Sequence, residues 1–228
     1  MKLNKKLSLM AVLVLFLGLT LTACSGENGE PTEEPDATEE GDVAEADVIS
    51  NPTSARGTTA GEMIASLSPE GAWVFGLGAD ITLEEGEGEL NINGDVLKHS
   101  GGAWTDEYER KVGLYQRDED RVPTGTFTLT VAEGINVNSP NTFFISDGPF
   151  VAEVNADVFV NTENFRLNGV QINGDVVFAS QELLDSAVAF IWDSEAAETN
   201  DNGDYVSNSG WVPTDFASFV TGEVRVAE

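Results

Sequence analysis

The densest group of ionisable side chains is Arg110-Lys111 followed by Arg117-Asp118-Glu119-Asp120-Arg121. A basic residue beside several carboxylates has the composition of a site that takes a proton from an acidic sugar. The basic residue abstracts the proton, and Ca²⁺ held on carboxylates neutralises the sugar acid. On that chemistry Arg117, Asp118, Asp120 and Arg121 are candidate catalytic residues of a Ca-assisted polysaccharide lyase or a related polysaccharide-active enzyme. The plainer reading is a charged turn whose Arg and Asp pair with each other and cap the adjoining strands. It is preferred, because a folded part of this size is short for a lyase groove.

A second oxygen-rich stretch, Asn200-Asp201-Asn202-Gly203-Asp204, makes Asp201 and Asp204 candidate Ca²⁺ ligands. It lacks the EF-hand spacing, which needs Gly at the sixth position and Glu at the twelfth. Apart from Ca²⁺, no cofactor is expected. One His and one Cys leave little material for a His-based triad, and a single Cys excludes an intramolecular disulfide framework. His99 is expected to be exposed in a polar turn, and Asp95 and Asp175 are expected to form turns. Trp73, Trp104, Trp192 and Trp211 offer sugar-stacking rings where exposed, and core or cap packing otherwise.

These residues must be carried to their place of work, and the first part of the chain reads as an address. Lys2, Lys5 and Lys6 form a basic n-region, and Leu7 to Leu21 an apolar h-region. Leu21-Thr22-Ala23-Cys24 follows, and the whole resembles a bacterial lipoprotein signal with its lipobox. The resemblance implies cleavage after residue 23 and lipid attachment at Cys24. Two or more acyl chains suffice for stable anchoring. The expected location is therefore extracytoplasmic, with the membrane as a partner through the N-terminal lipid. Residues 24–52 carry ten carboxylates and no basic residue, so they read as a disordered acidic tether extended by like charge.

Over the 228 residues, 40 Asp and Glu stand against 11 Lys and Arg, a formal net charge of −29. No phosphate-neutralising surface is available in such a chain, which excludes nucleic acid as a partner. Residues 53–228 hold 30 acidic and 8 basic residues, so even the folded part carries −22.

That folded part is expected to be all-β. Short alternating runs such as Phe127-Thr128-Leu129-Thr130-Val131, Ile135-Asn136-Val137 and Val158-Phe159-Val160 lie between turn residues. Two short helices are expected, at Ala60–Leu67 with Met63, Ile64 and Leu67 on one face, and at Gln181–Ala189. An offset of 23 residues aligns Ile135–Asn141 with Val158–Asn164 and sets Phe144 over Leu167 and Val154 over Val177. One period earlier it puts Val112 and Leu114 under Ile135 and Val137, and Val131 under Val154. Ile-Asn-Gly-Asp-Val occurs at both 92–96 and 172–176. Such a period suits one coil of a parallel β-helix, in which Asn138 stacks on Asn161 and Asn141 on Asn164. The expected fold is a short right-handed parallel β-helix whose small N-terminal cap is the helix at Ala60–Leu67. A β-sandwich or jelly roll is the alternative. An acidic insertion is expected at about 188–213, before Phe219-Val220 and Val224-Arg225-Val226 return to strand.

The runs Lys111–Arg121, Phe127–Thr130, Ser139–Thr142 and Asn173–Ser180 resemble a group of uncharacterised lipoproteins from clostridia and related Gram-positive bacteria. The similarity covers roughly Ser68 to Ala187 and the last ten residues. It implies a small right-handed β-helix of the broad pectate-lyase-like type, and it transfers no active site. The expected function is a lipid-anchored, non-catalytic binding or scaffold module of the cell envelope, with a carbohydrate or an envelope protein as partner. A polysaccharide-active enzyme and a self-assembling solenoid are the alternatives. Cys24→Ala is expected to abolish incorporation of labelled fatty acid in a bacterial host; undiminished labelling of that variant removes the anchor.

Overall fold

The computed structural model describes residues 52–228; the leader (1–23), Cys24 and the tether up to residue 51 lie outside the described residues. The described part is mostly β. It opens with β1 (Ser54–Gly57) and α1 (Ala60–Ser66). A first pass of strands follows: β2 (Val74–Leu77), β3 (Ile81–Leu83) and β4 (Leu90–Ile92), then the hairpin β5 (Leu97–Ser100) and β6 (Ala103–Tyr108). The second pass is β7 (Arg110–Gly113), the hairpin β8 (Tyr115–Arg117) and β9 (Pro123–Thr126), β10 (Thr128–Val131) and β11 (Ile135–Val137). The third is β12 (Thr142–Ile145), β13 (Ala152–Asn155) and β14 (Val158–Val160). The fourth is β15 (Arg166–Asn168), β16 (Val170–Ile172) and β17 (Val176–Phe178), followed by α2 (Gln181–Ser186). The chain ends with β18 (Val188–Trp192), β19 (Trp211–Thr214), a 3₁₀ turn (Phe216–Phe219) and β20 (Val224–Val226).

Each pass gives one strand to each of three sheets, in the same order. The first sheet runs β1-β2-β7-β12-β15-β18-β19, the second β3-β10-β13-β16, and the third β4-β11-β14-β17-β20. All neighbours in these sheets are parallel except β18 and β19. That is not the pairing of an antiparallel sandwich.

Strand alternation explains why three or four residues suffice per strand. In the third sheet Leu90, Ile135, Val158 and Val176 stand in one inward row, and Ile92, Val137, Val160 and Phe178 in the next. Phe75, Val112, Phe144, Leu167 and Ala189 form the inward row of the first sheet. All are buried and join a single core. Each large side chain so buried contributes about 1.5–3 kcal/mol.

The 23-residue offset holds only between the second and third passes in the third sheet, and between the third and fourth in the first sheet. Elsewhere the expected register fails. Val112 lies beside Phe75 and Phe144, and not under Ile135, which pairs with Leu90. Val154 pairs with Leu129 and Ile172, and not with Val131 and Val177. The two hairpins lengthen the early passes, and the fourth pass is shorter than the third. The two Ile-Asn-Gly-Asp-Val copies fall in different sheets, Ile92 in the third and Ile172 in the second. They share turn chemistry and no stacking position.

The asparagine stacks form as expected at the corners. Asn164 donates from Nδ2 to Asn141 Oδ1 at 2.9 Å, and Asn161 to Asn138 at 3.5 Å. Asn138 in turn donates to Asn93 at 2.9 Å, which extends the row beyond the 23-residue offset. Asn141 and Asn164 have φ of +50° and +55°, the left-handed backbone that asparagine tolerates better than other side-chain-bearing residues.

Thr59 and Glu62 form a capping box at the start of α1, and Met63 and Leu67 bury against the first pass. Ile64 is instead 46% exposed, because it lies 100° around the helix from Met63. The second helix stops at Ser186, and Val188–Trp192 joins the first sheet, so the expected insertion narrows to the residues after Trp192. Phe219 lies in the 3₁₀ turn and packs into the core, and Val220 alone bridges to Ile172.

Arg110 ties these parts together. Its guanidinium is fully buried and donates from Nη1 to the carbonyls of Ser66 and Ala72, and from Nη2 to those of Ser68 and Asn93, at 2.7–2.9 Å. Burial lowers its pKa to about 10, so it remains charged at neutral pH. Arg110→Ala should lower the unfolding free energy by about 3–5 kcal/mol, since a large buried side chain is removed, the Ala72 and Asn93 carbonyls lose a donor and those of Ser66 and Ser68 lose one of two. Arg110→Lys should recover only part of this, as one ammonium cannot span the same four acceptors. Urea unfolding followed by tryptophan fluorescence checks both, and a loss under about 1 kcal/mol for Arg110→Ala would contradict the role.

Candidate functional site

Consecutive strand residues face opposite ways, and this divides the charged group read from the sequence. Arg110 points inward and is spent on carbonyls. Lys111 points outward, in the row Val74, Lys111, Phe143, Arg166 and Val188 on the outer face of the first sheet.

On this face cations and rings alternate. The Arg166 guanidinium lies 3.9 Å from the Phe143 ring centroid, and Lys111 Nζ lies 5.6 Å from the same ring on its way to Tyr115 at 5.9 Å. The Arg117 guanidinium stacks on Tyr115 at 4.0 Å. The order is therefore Arg117, Tyr115, Lys111, Phe143, Arg166. All four contacts fall within about 6 Å, the reach of cation–π attraction. Gly113 makes room for it, because a Cβ there would sit 2.7 Å from the Tyr115 ring.

A carboxylate stands at each end of the stack. Asp147, nearly fully buried, accepts from Arg117 Nε and from the backbone N–H of Gly148 and Asn208. Glu109 lies 3.9 Å from Arg166. Lys111, in the middle, has neither hydrogen bond nor ion pair among the described residues. Burial, with help from Arg117, pushes its pKa down to about 8, while Glu109 and Asp147 act in the opposite direction. Arg166 is also lowered by burial, opposed by Glu109. Arg117 Nη2 and Arg166 Nε are buried without a hydrogen-bond partner among the described residues.

Three cavities border the stack. One of about 460 Å³ lies beside Arg166, Glu109 and the Asn141–Asn164 corner. One of about 390 Å³ lies between the β8–β9 turn and the segment after β18, and one of about 270 Å³ lies between that turn and β1.

The expected lyase residues do not assemble as a base beside metal-holding carboxylates. Arg117 pairs with Asp147, thirty residues on, and not with its own turn. Asp118 Oδ1 accepts the N–H groups of Asp120 and Val122, which makes it a turn former. Asp120 and Arg121 are exposed at the tip, Arg121 with φ of +66°. In the second oxygen-rich stretch Asn200 Oδ1 accepts from the N–H of Asn202 and Asp204, and Asn200 Nδ2 lies 3.3 Å from the Asp204 carboxylate. Asp201 is exposed on that turn. Among the described residues, no three His, Cys, Asp or Glu side chains gather closely enough to hold a metal ion.

His99 is not in open solvent; its ring packs against Trp73 and Trp104, with centroids 6.4 and 5.1 Å away. Of the four tryptophans only Trp104 is exposed, at 36%. Asp175 was expected to form a turn; its Oδ1 instead accepts the N–H of Glu223, 48 residues on, and so joins two passes of the chain. Tyr115, Phe143, Asp147 and Arg166 were not singled out from the sequence. One signal was available for Arg166, the only basic residue between Arg121 and Arg225. No protein-family model, curated protein or solved structure matches the chain.

The depressed Lys111 pKa fixes a pH dependence. The unfolded chain holds this proton more tightly than the fold, so the contribution of Lys111 to stability rises with pH between about 8 and its ordinary 10.5. Lys111→Met should therefore melt above the parent at pH 7, and its advantage should shrink from pH 8 to 10.5. A difference in melting temperature that stays constant over that range counts against a buried charge here.

Proposed function

We propose that this chain is a lipid-anchored extracytoplasmic protein whose folded part is a non-catalytic module that binds a carbohydrate of the cell envelope. The body is read as a short right-handed parallel β-helix of the pectate-lyase-like type, with α1 as its cap. Three parallel sheets that receive strands in a fixed order support that winding, and the right-handed preference of parallel crossovers supports its hand. The leader ending at Cys24 supports the anchor, and the likeness to the clostridial-type lipoproteins agrees with both.

The observation that carries the binding role is the alternating stack on the first sheet. It concentrates Lys111, Arg117 and Arg166 with two aromatic rings on a body that carries −22. Phe143 is buried beneath Arg166, so the guanidinium planes and the partly exposed Tyr115 ring offer the flat surface for a sugar ring, and the guanidinium edges supply donors to its hydroxyl oxygens. Binding is favoured over the lyase alternative, because Arg117 Nε is held by Asp147 and Asp118 is spent on backbone N–H groups.

A glycan array probed with residues 24–228 carrying Cys24→Ser tests the role. Retention of a subset of envelope glycans is expected, with Arg166→Gln weakening it on the order of tenfold, the equivalent of one lost charged contact. Retention of none would end the carbohydrate reading.

A further inference from the structure

The 270 Å³ cavity between β1 and the β8–β9 turn is lined by Arg56, Arg117 and Arg121. Three of the eight basic residues of residues 53–228 thus converge on one small cavity of a strongly acidic body. The one carboxylate on its wall, Asp118, already holds two backbone N–H groups through Oδ1. The surrounding surface repels anions, so a pocket of this sign is a local exception that selects for them.

Two of these three guanidinium groups are unspent. Arg117 is held by Asp147 at Nε and by the Tyr115 ring at 4.0 Å, and its Nη2 is buried with no partner. That N–H is closed off from solvent and the Arg117 charge is matched by Asp147, so Arg117 forms the wall of the cavity and the exposed arginines supply the donors. Neither the Arg56 nor the Arg121 side chain makes an ion pair or a hydrogen bond with the described residues. Both are exposed and can close on a ligand from the rim. The 390 Å³ cavity also has Arg117 and Arg121 in its wall, with one carboxylate, Asp120, beside them, and adds Tyr205 and Asn208. Two adjoining cavities that share two arginines suit an extended ligand crossing the hairpin tip.

We propose that Arg56, Arg117 and Arg121 form a receptor for a singly charged oxyanion, a carboxylate or a phosphodiester, carried by an extended envelope polymer. This deepens the binding role and rests on it for the polymer, while the anion pocket has a readout of its own. Planar guanidinium groups match both oxyanions with paired N–H donors, which lysine would not provide.

The test uses the full-length protein in non-ionic detergent, titrated calorimetrically with inorganic phosphate, a polyuronate, a poly(glycerol phosphate) and a neutral glucan. Arg56→Gln, Arg121→Gln and the double variant are compared with Arg225→Gln, which changes an exposed arginine on the third sheet. Melting temperatures confirm that each variant is folded. Binding of one or both polyanions is expected, about tenfold weaker in each single variant, about a hundredfold weaker in the double, unchanged in Arg225→Gln and weakened by salt. Preference for the polyuronate assigns the carboxylate, and preference for the glycerol polymer the phosphodiester. Phosphate binding that disappears in the double variant, with no polymer retained, would uphold the pocket and end the carbohydrate role. Binding of the neutral glucan alone, or polyanion binding indifferent to Arg56 and Arg121, would overturn the pocket and leave the wider role standing. Silence of every probe would overturn both.

Discussion

One buried cation holds the beginning of the fold together. Arg110 is enclosed without a carboxylate partner, and four carbonyl oxygens from the end of α1, the turn after it and the corner after β4 surround its two terminal nitrogens. Those carbonyls belong to a helix end and to corners, where the backbone has no ladder partner and water is excluded. The Ser66 and Ser68 carbonyls already accept the N–H groups of Ala72 and Gly71, and the guanidinium adds a second donor to each while serving those of Ala72 and Asn93. A planar guanidinium reaches all four at once and fixes the helix against the first pass of strands. The rows of core residues in later passes build on a first pass whose helix is held in this way.

The same strand that buries Arg110 displays Lys111. Alternation makes this unavoidable: with one basic residue committed to the cap, its neighbour must project from the outer face of the first sheet. The face meets that charge with rings before it meets it with carboxylates. Phe143 and Tyr115 flank Lys111, Arg166 and Arg117 flank the rings, and Glu109 and Asp147 close the row. Packing of the cap and composition of the face are thus linked through two consecutive residues.

Much of the strand layout was legible, because inward rows of Val, Ile and Leu alternate with polar residues and the corners use Asn in left-handed backbone. Asn138 over Asn161 and Asn141 over Asn164 follow from one offset read in the sequence. The offset misled elsewhere, since hairpins such as Tyr115–Thr126 insert between strands of one pass and leave no periodic trace. The site was legible only in part. Arg117 was singled out by its local charge, yet its partner Asp147 sits in a different pass and Arg166 in a third. Contacts that cross passes depend on register, and register is what unequal loop lengths hide.

The β5–β6 hairpin leaves after β4 of the third sheet, but three other departures share one corner. The β8–β9 hairpin, the turn at Asp147-Gly148 and the excursion that carries Asn208 all leave the chain after a strand of the first sheet. Being neighbours on one corner, they can meet although 30 and 61 residues separate Asp147 from Arg117 and Asn208. They meet at a single carboxylate: Asp147 takes the Arg117 guanidinium with one oxygen and the Asn208 and Gly148 N–H groups with the other. A regular array gives each pass the same core, so variation is tolerated only where the chain leaves a strand. Stacking the departures on one corner turns tolerated variation into a joined surface, and the cationic cavities lie along it. The plain second sheet supplies rigidity, and the corner of the first supplies the chemistry.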